Sequence, residues 1–259
     1  MTRSVCFEPE SGRLRIDSAT FLALAAAAAH REVPDGRLAA LADAGVIVDG
    51  SVHCSIEPAL AAITSSHAQL SIAVFEDSSC WVHQGWLAEV SGILEDLGDD
   101  TYDLVSVDAT SMPATLARLG HLTERPSLED GQIPISEDLL DALTESDPAV
   151  RQRGSRALAT SAPPEWSEWA SRLWAGDWRF TVVDVTWPDP SGTLIDRRVA
   201  VIDTDAGMTL VDATHPFLQL VPITTQEVCT LILALLPHEA ECRSGASPVL
   251  LSGTDAGRK

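Results

Sequence analysis

The sequence predicts a mixed α/β fold of the α+β kind, built from two similar halves that share one sheet. Three observations lead there. Helix-like and strand-like runs are grouped along the chain rather than strictly alternating. The two halves, about residues 14–121 and 136–237, repeat one order: helices, a meander of strands, then one capped helix. The chain is 259 residues long and 45% hydrophobic, which supplies ample core for one domain spanning 1–259.

The elements follow in order. Asp17-Ser18 opens a helix over the apolar run from Ala19 to Ala29. A second helix fits Asp35–Ala44 and stops at Gly45. Val46-Ile47-Val48 leads into Asp49-Gly50, a turn signal, and Glu57–Thr64 reads as a third helix. Leu70–Phe75 is a strand-like run turned by Glu76–Ser79, and Cys80–Val90 reads as one or two strands. Leu94–Asp100 is acidic and reads as a turn before a strand at Tyr102–Val107. Thr110-Ser111 is placed to cap a helix bearing Leu116 and Leu119, with Pro113 tolerated in its first turn.

Leu122–Ile135 reads as a linker. Helices are expected from Ser136, over Asp147–Leu158, and over Glu165–Ala175, where Trp166, Trp169 and Leu173 fall at i, i+3 and i+7. Strands then fit Trp178–Trp187, Arg198–Ile202, Met208–Val211 and Phe217–Val221, separated by Pro188–Gly192 and Asp203–Gly207. Thr224 and Glu227 form a capping box for a helix through Val228, Leu231, Ile232 and Leu235, ending before Pro237. Residues 243–259 read as a disordered tail. In the two halves, Leu104–Thr110 aligns with Leu218–Thr224 at an offset of 114, each strand running straight into a Leu-bearing helix.

Seventeen Lys+Arg against 38 Asp+Glu give a formal charge of −21. The acids are spread evenly, and each half is negative. Such a surface argues against binding a nucleic-acid backbone or an anionic membrane. No apolar run is long enough to span a bilayer, and no signal-peptide pattern is read at Met1, so a cytoplasmic location is expected. Five cysteines, odd in number and without a CxxC, fit a reducing compartment and read as small buried thiols.

Catalytic motifs are missing. There is no G-x-S-x-G, Walker A, G-x-G-x-x-G or H-E-x-x-H. His238 and Cys242 stand at i, i+4, but two ligands without a third are not a zinc site. Asp203-Thr204-Asp205-Ala206-Gly207 looks like the start of a calcium loop, yet its fifth position is glycine and it reads better as a β-turn. The seven histidines are dispersed. No catalytic residue, metal site or cofactor is expected, and the protein reads as a non-enzyme. Five of the seven tryptophans cluster: Trp166, Trp169 and Trp174 on one short helix, Trp178 and Trp187 on the next strand. Such residues serve either a core or a partner surface. Trp166, Trp169, Trp174 and Trp187, with Leu231 and Leu235, are the candidate partner-binding residues.

Four stretches carry a family resemblance. Leu41–Val52 is similar to an "ALxxxGLLxDGxV" element, and Pro58–Ile72 to the helix-to-strand step that follows it. Leu104–Leu119 is similar to a strand-to-helix passage written "LRPVPPxxLAxALVxLL". Arg198–Leu236 is similar to a strand, "DTxxGRYLV", a short strand and a Leu-rich helix, here Val199–Ile202, Asp203–Val211, Leu218–Pro222 and Thr224–Leu236. Together, over roughly residues 14–236, the chain resembles the EspG family, cytoplasmic chaperones of actinobacterial type VII (ESX) secretion. The resemblance implies a pseudo-twofold repeat, a mainly antiparallel central sheet and helical bundles at both ends. It implies as partner a helical secreted substrate, typically a PE–PPE heterodimer bound by its PPE tip, with contacts from the sheet and the C-terminal bundle. A homo-oligomeric structural or regulatory protein of the same fold, such as a homodimer without an ESX client, is the alternative.

Overall fold

The computed structural model describes residues 5–29, 35–214, 217–238 and 241–242. Two short strands come first, β1 (Cys6–Glu8) and β2 (Arg13–Ile16), paired antiparallel. On β2, Leu14 and Ile16 are buried while Arg13 and Arg15 face outward. Helix α1 (Ser18–Ala28) starts where Asp17 accepts the Thr20 N–H at 2.7 Å, a side-chain N-cap. Helix α2 (Asp35–Asp43) is followed by Gly45 at φ 77°. A two-residue hairpin joins β3 (Ile47–Val48) to β4 (Ser51–Val52), with Asp49 at φ 52° and Gly50 at φ 79°, the double left-handed turn that matches strand twist. Then come α3 (Glu57–Ser65), a meander of β5 (Ala68–Glu76), β6 (Cys80–Leu87), β7 (Val90–Asp96) and β8 (Tyr102–Asp108), and α4 (Met112–Leu119).

The second half also runs from helices through a four-strand meander to a final helix. Strand β9 (Ile133–Pro134) precedes α5 (Glu137–Thr144), α6 (Pro148–Ser161), a 3₁₀ turn at Pro164–Trp166 and α7 (Ser167–Ala175). The meander β10 (Arg179–Pro188), β11 (Leu194–Thr204), β12 (Gly207–Asp212) and β13 (Gln219–Ile223) leads into α8 (Thr225–Leu235), whose Thr224–Glu227 capping box is fully formed. Among the described residues the main sheet has eleven strands, ordered β1-β2-β8-β7-β6-β5-β10-β11-β12-β13-β9, and its pairings are antiparallel. The halves meet at β5 and β10, paired over eight residues from Arg179↔Glu76 to Thr186↔Gln69.

Strand alternation decides what each face meets. Leu70, Ile72 and Val74 on β5 and Val183, Val185 and Trp187 on β10 share one face. They form a core with Met112, Leu116 and Leu119 of α4 and Val228, Ile232 and Leu235 of α8. On the other face two separate cores form. One packs Phe21 and Leu24 of α1 and Ala59, Leu60 and Ile63 of α3 on Leu14, Trp86, Leu94 and Leu104. The other packs Leu143, Leu158, Trp166, Trp169 and Leu173 on Phe180, Ala200, Ile202 and Leu220.

Four expectations change. Leu94–Asp100 is not all turn: β7 runs to Asp96, because Glu95 is neutralised by Arg118 and Asp96 bonds β6. The reversal is confined to Gly98, Asp99 and Asp100, all at positive φ. Ser111 occupies the N-cap of α4 but its side chain makes no cap bond; Asp108 accepts from the Thr110 hydroxyl, the Ser111 N–H and the Ser111 hydroxyl instead. The 122–135 stretch is packed rather than loose. Arg125 pairs with Asp203, the Trp166 indole N–H donates to the Glu129 carbonyl at 2.9 Å, and a Cβ on Gly207 would come within 2.5 Å of Leu128. Cys6, Cys54 and Cys80 are exposed rather than buried, since they lie on an edge strand, in a loop and at a strand start; Cys229 and Cys242 are half-buried, and all five are free thiols. Strands β1 and β2 carried no pattern long enough to read. The expected tail, 243–259, lies outside the described residues.

One buried cation ties the second half's helices to the first half's central strand. Arg151 of α6 is 2% exposed. Its Nε donates to the Glu76 carbonyl at 2.8 Å and its Nη2 to that of Asp77 at 3.2 Å. Its Nη1 donates to the carbonyls of Glu145 and Ser146, at 2.5 and 3.0 Å. Arg151→Ala is expected to cost about 3 kcal/mol or more, because buried carbonyls lose their donors. Arg153→Ala, an exposed position on the same helix, should cost under about 0.5 kcal/mol. Urea denaturation of both variants checks this; equal losses would mean the carbonyls are satisfied without Arg151.

Candidate partner-binding face

The six sequence-predicted residues separate by burial. Trp166, Trp169 and Trp187 are 1%, 0% and 1% exposed, and Leu235 is 6% exposed. They are core residues and present no surface, a correction to their reading as partner contacts. Their partners are internal. Trp166 and Trp169 meet edge to face at 5.6 Å. The Trp187 indole donates to the Glu241 carbonyl at 3.2 Å, with the Arg197 guanidinium 4.7 Å over the ring. The i, i+3, i+7 spacing identified an amphipathic face correctly; that face turns inward onto β10, β11 and β13. Leu231 is half-buried against the α4–α8 core. Trp174 alone of the six is exposed, at 55%, and it stacks under the Arg156 guanidinium at 5.4 Å.

What sequence reading missed is an uncovered area of sheet. In β5 every residue on the α4–α8 face from Ala68 to Val74 is buried, while Gln69, Ser71, Ala73 and Phe75 opposite are only partly covered. In β6, Cys80, Val82 and Gln84 are exposed; in β11, Leu194, Asp196 and Arg198 are. In β10, Val182, Asp184 and Thr186 are half-buried. The register lines these up in rows across four strands. Gln84–Ser71–Asp184–Arg198 is one row. Val82–Ala73–Val182–Ala200 is the next. Beyond the first lies Trp86–Gln69–Thr186–Asp196, where Trp86 is covered by Phe21 of α1. Beyond the second lies Cys80–Phe75–Phe180–Ile202, whose last two members sit under the α5–α7 pack.

The open area is therefore a floor between two helical walls. It has one polar row and one row of small apolar side chains. Four strands at about 4.8 Å spacing make each row some 14 Å long, and the two rows lie about 7 Å apart along the strands. The apolar row slopes from Val82, 39% exposed, to Ala200, 9% exposed, at the foot of the α5–α7 wall. On the polar row Arg198 and Asp184 form an ion pair.

Two further concavities lie elsewhere on the molecule. An apolar groove of about 1080 Å³ lies on the N-terminal helices, lined by Ala27, Ala28, Ala42, Ile47, Leu60 and neighbours. A charged cleft of about 490 Å³ surrounds Asp203. Asp203 accepts from Arg125 through both oxygens, at 2.7 and 2.9 Å, and from Arg179 at 3.4 Å; Arg179 also donates to Glu76 at 2.8 Å. Burial pushes the Asp203 carboxyl up, against the pull of Arg125 and Arg179, and the same pairing raises Arg125. With two guanidiniums on it, the group is a carboxylate that ties the 122–128 stretch to β10 and β11. Within the cleft Asp203, Arg125, Arg179 and Glu76 pair with one another, while Asp77 Oδ1 is buried without a hydrogen-bond partner among the described residues. Asp203–Gly207 is thus the β11–β12 turn, with its first carboxylate held by arginine. Among the described residues no group of three or more His, Cys, Asp or Glu is placed to hold a metal ion.

No protein-family model matches this chain, and a search of curated proteins finds no significant relative.

The contrast between neighbouring tryptophans is directly measurable. Trp169→Ala should cost about 3–5 kcal/mol, as a fully buried ring leaves a cavity. Trp174→Ala should cost about 1 kcal/mol or less, the scale of an exposed cation–π contact. Thermal and denaturant melts of the two variants test the assignment of core and surface.

Proposed function

We propose that this protein is a non-enzymatic, cytoplasmic secretion chaperone of the EspG kind. It would hold the helical tip of a type VII (ESX) substrate, a PE–PPE-like heterodimer, and keep it soluble until delivery. In this reading the recurring order of parts about the β5–β10 junction is a pseudo-twofold repeat, and α1–α3 and α5–α7 are its end bundles. The observation that carries the reading is the uncovered floor of β6, β5, β10 and β11. A sheet face left open between two helical walls suits a helical guest, whose apolar side chains would rest on the Val82–Ala73–Val182 row. Trp174 and Arg156, exposed on the α6–α7 outer surface, offer an aromatic contact of the type enriched at interfaces. Among the described residues no helix is long and apolar enough to cross a membrane. The net charge of −21 favours solubility of the loaded complex.

Ala73→Arg places a long cation in the centre of the floor without touching the buried face of β5. It is expected to leave the melting temperature within a few degrees of wild type and to weaken capture of a co-expressed helical substrate at least tenfold. Affinity purification from the native host followed by light scattering reads the outcome. A monomer that gains mass only with client supports the chaperone. A stable dimer without client, unaffected by Ala73→Arg, would sink it in favour of a self-associating protein of the same fold.

A further inference from the structure

Where β6 borders β7, the ladder stops early. The two strands pair at Gln84↔Leu94, Gly85↔Ile93 and Trp86↔Gly92, and no further toward the start of β6. Two side chains take over from the backbone. The Asp96 backbone N–H donates to His83 Nδ1 at 3.0 Å, and the Val82 backbone N–H donates to an Asp96 carboxylate oxygen at 3.0 Å. The first contact fixes the tautomer: a ring nitrogen that accepts an N–H carries no proton, so His83 is neutral with its proton on Nε2. The ring is 3% exposed and stands opposite Ile72 of β5 in the register. Its Nε2 has no hydrogen-bond partner among the described residues.

We propose that this reciprocal pair, His83 with Asp96, is a pH-operated latch that holds the end of the β7–β8 hairpin onto β6. A proton added at Nδ1 would face the Asp96 N–H donor to donor, so the charged ring cannot keep the contact. Release of Asp96 also frees the Val82 N–H. The 96–101 turn would then move away from β6, uncovering the strand edge beside Val82 at the rim of the open floor. The charged groups facing the ring are Glu95 and Asp96 on β7, Arg118 on α4 and His121 just beyond it. Glu95 and Asp96 favour the charged ring, whereas burial, His121 and Arg118 oppose it, and burial is the largest effect, so the closed latch holds His83 below the usual histidine range. The sign follows from linkage. The open form, with a solvated ring, takes up a proton more readily than the closed form. Opening is therefore favoured progressively as pH falls below about 6.5, and the latch is fully shut above it. The geometry of β6 and β7 carries this whatever partner the floor holds.

The test is amide hydrogen exchange on the full chain at pH 7.5 and 5.5, corrected for intrinsic rates. Protection at Val82 and Asp96 is expected to fall at least tenfold on acidification, while amides of the β5–β10 junction keep theirs. His83→Gln retains an acceptor for the Asp96 N–H and cannot titrate, so its Val82 and Asp96 amides should show no such pH dependence. If that variant fails to fold, imidazole NMR of the wild-type chain replaces it. The His83 ring titration and the Asp96 amide shift should then share one midpoint. The latch is refuted by equal acid sensitivity in His83→Gln, by separate midpoints, or by simultaneous loss of protection across the whole sheet.

Discussion

Eight backbone-paired positions between β5 and β10 hold the two halves in one sheet, and the other features of the molecule are arranged around that junction. Each half supplies a four-strand meander whose first strand is innermost. The helix that ends each meander, α4 or α8, returns over the middle of the sheet, and the two touch. That seals one face from β8 to β13 in a single core. The preceding helices of each half pack instead toward the outer strands, in two cores that do not merge. The open floor is thus a consequence of topology: with only the outer parts of the second face covered, the junction strands are left bare there. Arg151 and the Asp203 cluster then brace the joint at its β5–β6 turn, each with groups from both halves.

The charges obey the same division. Buried carboxylates are few and paired. Asp103, 1% exposed, receives both Arg15 nitrogens at 2.8 and 2.9 Å, which anchors β2 on β8; Asp203 is held by Arg125 and Arg179. Bidentate guanidinium contacts are the arrangement that lets a carboxylate sit inside a fold. The arginines spent on these ties are drawn from only 17 basic residues, so the remaining acids lie on the surface largely uncompensated. The acidic exterior follows from 38 acids outnumbering 17 bases; several of the paired arginines, Arg13, Arg15, Arg118 and Arg198 among them, lie at the surface themselves.

Most of the elements were legible in the sequence because their signals are local. The Thr224–Glu227 box, the Asp49-Gly50 turn, the Gly45 stop and the alternation of Trp178–Trp187 each depend on a few neighbouring residues, and each reappears in the fold. What escaped depends on contacts distant in sequence. Strands β1 and β2 are three and four residues long and exist because β8 offers them a partner. Acidic β7 is a strand because Arg118 and the Val82 N–H donate to its carboxylates. For Trp166 and Trp169 the amphipathic face was readable, but periodicity does not say whether such a face meets its own sheet or another protein. The open floor was written in β5 as Gln69, Ser71 and Ala73 between large apolar residues; recognising it needs the three neighbouring strands and their register.

The edges of the sheet bear on how such a protein associates. A free edge invites pairing by a second copy, and folds blunt it with short strands, charge and proline. Here one edge is β1, three residues that end in Glu8 with Glu10 just beyond, and the other is β9, two residues that end in Pro134. Neither offers a ladder long enough to template a strand. The open floor is guarded differently. Its polar row, with the Arg198–Asp184 pair at one end, makes stacking on an identical floor bury four polar side chains against four others, which is costly without matched partners. A helix laid on the apolar row would leave that polar row at its side, still in water. The polar row thus disfavours self-stacking more than it would a helical guest, and on this asymmetry rests our proposal of a carrier of other chains over a self-assembling protein.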